Sequence, residues 1–319
     1  MSSVDIPKSF GALLLGGLFA SLLSGLVIIQ SVIYYKVYPR DSNRLKFLVL
    51  AVLVLDICHT GFIWAALWSY LVVNYGLASG IDIIHWNVAL TIVMTAILTL
   101  LVHLFFANRI YLLSKKNLWL TIPLVLFAVL RLVSACVTTA EMLHLGTYSK
   151  FKEEIRWIFT TGLALSSVID VLITSSLFAL LHASRADSES PGLNAVIDAL
   201  IRYAFETGSL TCAGTVISMI CWLAMPNNLI FMGLHFVISK LYANSLLVTL
   251  NSRDKVRRAR SQSSKELGGM PVHLLNTRRQ RFGTDTSSRH SESPTDSKGQ
   301  IITQLEVNVE RTVIYEAGI

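Results

Sequence analysis

Residues 10–34 read FGALLLGGLFASLLSGLVIIQSVIY, a run of 25 residues without one charged side chain. An α-helix rises about 1.5 Å per residue, and crossing the hydrocarbon core of a bilayer takes about 20 residues. The run is also longer than the apolar part of a cleaved secretory signal, which has about 7 to 15 residues. We therefore predict that it is retained as a first transmembrane helix.

Further runs of this kind follow along the chain. Together they predict seven transmembrane helices, at about 10–34, 45–72, 88–112, 118–140, 157–181, 197–223 and 229–250. With 53% hydrophobic and only 15% charged residues, the chain carries more apolar side chain than a soluble core requires. Backbone groups in lipid must pair internally, which long continuous runs achieve as helices. The sequence predicts an all-α membrane protein, a seven-helix bundle over residues 1–252, in the plasma membrane or an endomembrane.

Lys and Arg are distributed unevenly between the two sides of this bundle. One side carries thirteen of them: Lys36, Arg40, Arg44, Lys46, Arg109, Lys115, Lys116, Arg185, Arg253, Lys255, Arg257, Arg258 and Arg260. The other side carries four: Lys8, Lys150, Lys152 and Arg156. Because basic loops resist translocation, we predict that the amino terminus lies outside the cytosol and the carboxy terminus inside it. The loop at 150–156 also holds two Glu residues and is predicted to be an exposed loop or a short helix.

Beyond Asn251 the composition changes. Ser, Thr, Arg, Gly and Gln dominate as far as Lys298, which predicts a disordered cytosolic tail over 253–319. The tail offers a binding segment to a cytosolic protein partner. Its first residues are basic enough to contact anionic lipid, at about 1 kcal/mol per residue. These residues are Arg253, Lys255, Arg257, Arg258 and Arg260, although the simpler interpretation of them is an ordinary basic flank of the last helix.

Ionisable side chains deep in the predicted helices are the candidate functional residues, since each costs several kcal/mol in lipid unless paired or hydrated. Counting from the outer helix ends places Asp170 and Lys240 at the same depth, about 18 Å. This predicts an ion pair between the fifth and seventh helices, with Asp56 or Glu206 as the next candidate partners of Lys240. Asp56 and His59 share one face of the second helix, either as a local pair or turned together towards the bundle axis. The candidate cluster is therefore Asp56, His59, Asp170, Glu206 and Lys240.

Two interpretations of this cluster stay open. The charges either fix the register of neighbouring helices, or line a cavity that binds a ligand or relays protons. The chain contains no Walker loop, GxSxG, HExxH or GxGxxG, and its histidines lack metal-ligand spacing. We therefore expect no enzymatic activity, no cofactor and no metal site, and the basic charge, which flanks apolar segments, gives no nucleic-acid signal.

The last predicted helices contain two distinctive stretches, MPNNLIF at 225–231 and SKLYANSLLVTLNSR at 239–253, and the third helix ends in FFANRIY at 105–111. The region over about 169–253 resembles the signature of a family of fungal, basidiomycete-type seven-helix membrane proteins that is classified as a domain of unknown function. The resemblance implies the same topology. It implies no ligand, cofactor or catalytic residue.

Three functions are compatible with these features. The first is a receptor-like sensor of a small or lipidic ligand; the others are a transporter or proton-coupled carrier and a membrane scaffold. The sequence has no internal repeat, which disfavours a transporter. NRIY at 108–111 lies where G-protein-coupled receptors carry an acidic-Arg-Tyr motif, but Asn replaces the acid and the seventh helix lacks NPxxY. A continuous water-accessible cavity through the bundle would distinguish transport from sensing.

The uneven distribution of Lys and Arg makes the orientation testable. An epitope tag after Ile319 should be protected in intact cells and become accessible once the plasma membrane is selectively permeabilised, because the carboxy terminus is predicted to be cytosolic. Antibody binding before and after permeabilisation measures this. A tag that is exposed on intact cells would show that the orientation is inverted.

Overall fold

The computed structural model describes residues 6–75, 77, 80, 82–186, 191–225 and 228–268. In this part of the chain the helices are α1 Ile6–Val37, α2 Asn43–Trp68, α3 Trp86–Leu113, α4 Leu118–Leu145, α5 Tyr148–Glu154, α6 Arg156–Ala186, α7 Pro191–Ala224 and α8 Ile230–Gly268. All of these except α5 are long and apolar enough to cross a membrane, which gives seven spanning helices among the described residues. The prediction of an all-α, multi-pass membrane protein is confirmed.

The helices extend further than their apolar cores. α4 continues to Leu145, α6 continues to Ala186, and a π-helical turn at Ser69–Val73 lengthens α2. α8 stays helical to Gly268, past the predicted start of the tail at Arg253. Apolar periodicity ends at the membrane surface, whereas backbone hydrogen bonding can continue beyond it. The remainder of the predicted tail, 269–319, lies outside the described residues.

The spanning helices form a closed ring. Each contacts the next in the order α1, α2, α3, α4, α6, α7, α8, and α8 packs back onto α1. Both α3 and α8 are inner helices, since they also contact each other across the ring. In the most apolar window of α8, 72% of the residues are buried, against 17% for α4. The side chains of α8 therefore largely decide what the interior contains.

Glycines set the closest approach between α1 and α8. A Cβ atom on Gly16 would overlap the backbone of Gly233, and one on Gly233 would overlap the backbone carbonyl of Ala12. Small residues at a crossing let two helix backbones approach, which is a common way of packing helices in membranes. Here they bring α1 and α8 close enough for polar contacts further along both helices.

The end of the bundle that carries α5, here called the α5 end, is closed by aromatic side chains. The centroid of the Trp222 ring lies 4.6 Å from that of the Phe231 ring and 4.9 Å from that of the Phe159 ring. Phe151 of α5 completes this group, 6.0 Å from Trp222, and is fully buried. The short helix predicted around 150–156 is thus present, and it is docked into the bundle by an aromatic side chain rather than being wholly exposed.

Hydrogen bonds and charge fix α5 in this position. Asp82 accepts from the backbone N–H of Ser149 at 2.9 Å and from its hydroxyl at 2.8 Å. Lys152 Nζ lies 5.7 Å from the centroid of the Phe231 ring, within range of a cation–π interaction. Burial lowers the pKa of Lys152 and raises the pKa of Tyr148 well above its ordinary value. This end of the bundle is therefore packed rather than open to water.

The glycine crossing predicts a sharp difference between two substitutions on α1. Gly16→Ala should destabilise the protein by about 1 to 3 kcal/mol or more, because the new methyl group meets the Gly233 backbone. Gly25→Ala should be neutral or stabilising by up to about 1 kcal/mol, because a Cβ there meets nothing within 4 Å and alanine favours helix. Thermal unfolding in detergent measures both. Equal stability of the two variants would contradict the close α1/α8 crossing.

Candidate functional site

Lys240 of α8 and Asp56 of α2 form an ion pair in the centre of the bundle. Lys240 Nζ lies 2.8 Å from Asp56 Oδ1, and both side chains are 0% exposed. The ammonium also donates to the Asp56 backbone carbonyl at 2.9 Å and to Thr60 Oγ1 at 2.7 Å. Ser24 of α1 donates to Asp56 Oδ2. We call Ser24, Asp56, Thr60 and Lys240 the ion-pair cluster; it provides one acceptor for each N–H of the ammonium and joins three helices.

The predicted pair of Asp170 with Lys240 was wrong, and the reason is direction rather than depth. Lys240 turns towards α1 and α2, whereas Tyr242, two residues later on α8, turns towards α6 and bonds Asp170. Two positions on a helix differ by about 200° around its axis. Counting residues along a helix gives the level of a side chain but not the neighbour that it faces.

Asp170 belongs to a second polar group, which joins α3, α6 and α8. Its Oδ2 accepts from the Tyr242 hydroxyl at 2.6 Å, and its Oδ1 lies 3.3 Å from His103 Nε2. The Tyr242 hydroxyl is also 3.0 Å from Ser166 Oγ, and the Tyr242 and His103 rings meet edge to face with centroids 5.4 Å apart. We call His103, Ser166, Asp170 and Tyr242 the Asp170 network.

The two remaining residues of the predicted cluster, His59 and Glu206, differ in burial. His59 is fully buried and its Nε2 lies 3.1 Å from Thr95 Oγ1 on α3, so it turns into the bundle as Asp56 does, but towards another helix. Glu206 is exposed on α7, next to Phe205, which is 57% exposed. Its predicted place in the buried cluster was therefore wrong, because α7 turns this face away from the bundle.

Several buried polar atoms between these groups have no hydrogen-bond partner among the described residues. They are His59 Nδ1, His103 Nδ1, Arg131 Nε, His235 Nε2 and Ser239 Oγ. Buried polar atoms almost always have a partner, and ordered water fills this role where protein atoms do not. The atoms therefore indicate internal hydration.

Two small cavities are lined by three of these residues, Arg131, His235 and His103. One has a volume of about 30 Å³ and is lined by Arg131 and His235, and the other has about 20 Å³ and is lined by His103, Asp170 and Tyr242. One water molecule needs about 10 to 15 Å³ by this measure, whereas a small-molecule site has about 300 to 1,000 Å³. The two cavities share no lining residue. They suit isolated waters rather than a ligand or a continuous path.

A larger groove opens on the outer surface of the bundle between α1 and α8. Its volume is about 490 Å³, and its lining is apolar, with Gly11, Leu15, Phe19 and Ile230 among the residues that form it. The glycine crossing at Gly16 and Gly233 lies within the same lining. Its size suits an acyl chain or another apolar molecule.

Polar side chains continue the contact of α8 with α1 beyond Lys240. Asn244 Nδ2 donates to the Leu23 carbonyl at 3.1 Å, and Gln30 Nε2 donates to Asn244 Oδ1 at 3.2 Å. Asn251 Nδ2 donates to the Gln30 carbonyl at 2.9 Å. Asn244 and Asn251 of SKLYANSLLVTLNSR are thus explained by contacts with α1 that the sequence alone could not identify.

Reasoning from charge missed the uncharged partners in both polar groups. Ser24 and Thr60 gave no signal, because a hydroxyl in a helix commonly bonds a carbonyl of its own preceding turn, as Ser31 does to Val27. Tyr242 carried a weak signal, since it lies two residues from a buried Lys in a distinctive motif. His103 was recognisable as a buried ionisable residue, but nothing in the sequence connected it with Asp170.

Residues 166–255 match the model of a protein family described as a family of unknown function (DUF6534). The match covers most of α6, all of α7 and α8 as far as the end of its membrane span, and so contains Asp170, Lys240 and Tyr242. It confirms the expected resemblance to a domain of unknown function over this part of the chain. Neither the curated proteins nor the solved structures give a match.

The ion-pair cluster predicts strong coupling between two substitutions. Asp56→Asn and Lys240→Met should each destabilise the protein by about 3 to 5 kcal/mol, because each leaves the other charge buried without its partner. The double variant should lose less than the sum of the two, as direct contact requires. Unfolding free energies in detergent measure this cycle.

The matched control is the pair first predicted from depth. Asp170→Asn combined with Lys240→Met should give additive losses, to within about 0.5 kcal/mol, because the two residues belong to separate polar groups. Additivity for Asp56 with Lys240, or coupling for Asp170 with Lys240, would contradict the arrangement of contacts described above.

Proposed function

We propose that this protein is a receptor-like membrane sensor of a lipidic ligand. In this proposal the ligand enters sideways from the bilayer into the groove between α1 and α8. It acts on the ion-pair cluster between the same helices. The amino terminus lies outside the cytosol, and the tail that follows α8 engages a cytosolic partner. The protein acts without catalysis and without a bound cofactor.

The observation that carries the proposal is that the groove and the ion-pair cluster share two helices. Ser24 follows Gly16 on α1 by about 12 Å, and Lys240 follows Gly233 on α8 by about 10 Å. Ser24 and Lys240 both bond Asp56. A molecule that changes the distance or tilt between α1 and α8 at the groove therefore acts directly on contacts of a buried charge.

The form of the interior supports a ligand that comes from the membrane. The two interior cavities hold about 30 Å³ and 20 Å³, too little for a small organic molecule. Aromatic side chains, among them Trp222 and Phe231, close the α5 end. The groove of about 490 Å³, by contrast, opens on the lipid-facing surface of the bundle.

A sensor also needs an element with two arrangements, one of which the ligand favours. The unpartnered atoms of Arg131, His235 and Ser239 support this, because donors and acceptors that are completed by water rather than by protein can exchange partners at little cost. A coupling of about 1 to 3 kcal/mol, or about 5- to 150-fold in affinity, is typical of such switches. One hydrogen bond gained or lost in the interior is of that size.

Filling the groove should abolish binding of a lipidic probe. The variant Gly11→Leu adds a side chain to the groove, where a Cβ atom meets nothing within 4 Å. The control Gly25→Leu makes the same change on the same helix, away from the groove and equally free of a clash. With a diazirine-labelled long-chain fatty acid in phosphatidylcholine nanodiscs, labelling of peptides containing residues 11–19 and 230–234 should fall about tenfold in Gly11→Leu only.

The response of the interior is measured separately. A trifluoromethyl label on Cys58, which is exposed and two residues from Asp56, reports on α2 after the other three cysteines are replaced. Adding the fatty acid should shift the label between two resonances in the control and not in Gly11→Leu. Equal labelling of both variants would rule out the groove. Occupancy without any change at Cys58 would instead indicate a structural lipid and a scaffold.

A further inference from the structure

A second cleft lies at the end of the bundle opposite α5. Its volume is about 380 Å³, and it is bounded by the start of α2, the end of α3, the start of α7 and the end of the membrane span of α8. Apolar side chains such as Leu112 and Leu200 form much of its lining. Its polar lining consists of Asn108, Arg109, Thr249 and Arg253.

The charge around this cleft is strongly positive. Arg253 is paired with Asp41 at 2.5 Å and lies over the Tyr38 ring, with its guanidinium carbon 4.5 Å from the centroid. Arg109 has no acidic group within ion-pair distance among the described residues. Further basic residues at this end of the bundle add to the positive charge: Lys36, Arg40, Arg44, Lys46, Lys115 and Lys116.

The two arginines lie at the level of the membrane surface. Arg109 is four residues before the end of the span Trp86–Leu113. Arg253 follows the last apolar run of the chain, which ends at about residue 250, and lines the same cleft as Arg109. Phosphate groups of phospholipids lie at this level, and an arginine binds phosphate through two parallel N–H donors. The apolar lining beneath them matches the beginning of an acyl chain rather than a freely dissolved anion.

We propose that this cleft binds an anionic glycerophospholipid, with Arg109 as the principal ligand of its phosphate and Arg253 as a second cation in fixed position. The site is separate from the groove between α1 and α8 and does not depend on the proposed sensor function. A basic surface attracts anionic lipid in general, whereas this cleft would bind one lipid molecule at a defined position.

The experiment uses full-length protein in nanodiscs of phosphatidylcholine, with or without 20 mol% phosphatidylserine. We expect the wild-type Tm to rise by about 5 °C or more with phosphatidylserine, since a ligand that binds the folded state stabilises it. Arg109→Gln should lose at least half of this rise, and Arg109→Lys should keep more of it. Arg44→Gln is the matched control, because it removes an exposed charge at the same end outside the cleft and should keep the full rise.

A second variant, which fills the cleft, tests the site independently in case Arg109→Gln does not fold. Leu112→Trp enlarges a side chain that lines the cleft and is 62% exposed, so it should lose the rise while retaining the stability of the protein in phosphatidylcholine alone. Equal losses in Arg109→Gln and Arg44→Gln would show that surface charge alone is responsible and overturn the site. The same rise from 10 mM inorganic phosphate, roughly a saturating concentration for a weak site, would show that it takes a dissolved anion and not a lipid.

Discussion

The buried ammonium of Lys240 is the constraint on which the rest of the bundle depends. A charge in an apolar interior is tolerated only when each of its donors is satisfied, and here all three acceptors come from Asp56 and Thr60 on α2. Asp56 in turn needs a second donor, which Ser24 supplies from α1. One charge therefore fixes the relative positions of α1, α2 and α8. The glycine crossing of α1 and α8 follows as a requirement, because a side chain there would hold the two helices apart.

The interior contains one matched cluster and other polar groups that are incomplete. Within the ion-pair cluster the donors and acceptors match, and Asn244 and Asn251 continue the polar contact along α1, where Gln30 Oε1 and Asn251 Oδ1 have no partner among the described residues. Around Arg131, His235 and the Asp170 network, atoms remain without protein partners and small cavities adjoin them. A matched network resists rearrangement, whereas a network completed by water can exchange partners at little cost. The contacts around Arg131, His235 and Asp170 are thus expected to rearrange when a change at the seam of α1, α2 and α8 displaces α8, because α8 carries both Lys240 and Tyr242.

The helices were predictable because their signal is local. Each apolar run is long enough to span a bilayer by itself, and no distant residue is needed to recognise it. Partners were not predictable, because a contact depends on the direction in which a side chain points around its helix. Asp170 and Lys240 share a depth and face different neighbours, and Glu206 has the depth of a core residue on an outward face. The hydroxyl partners carried still less signal, since Ser and Thr can satisfy themselves within their own helix.

The family match covers only one partner of several contacts between helices. Residues 166–255 contain Lys240 and Asn244, whereas their partners Asp56 and Leu23 precede the matched region. Tyr242 has its hydrogen-bond partner Asp170 within that region, whereas the His103 ring that it contacts precedes it. A fragment with only the matched residues would place the ammonium of Lys240 in lipid without an acceptor, at a cost of several kcal/mol. The matched region holds two of the seven spans and most of a third, and we expect it to depend on the preceding helices to complete its polar contacts. Any chain that folds as this one does and keeps a Lys at position 240 needs acceptors for the ammonium from α2 and a donor to the paired carboxylate from α1. Its first two helices are therefore constrained by chemistry even where their sequences diverge.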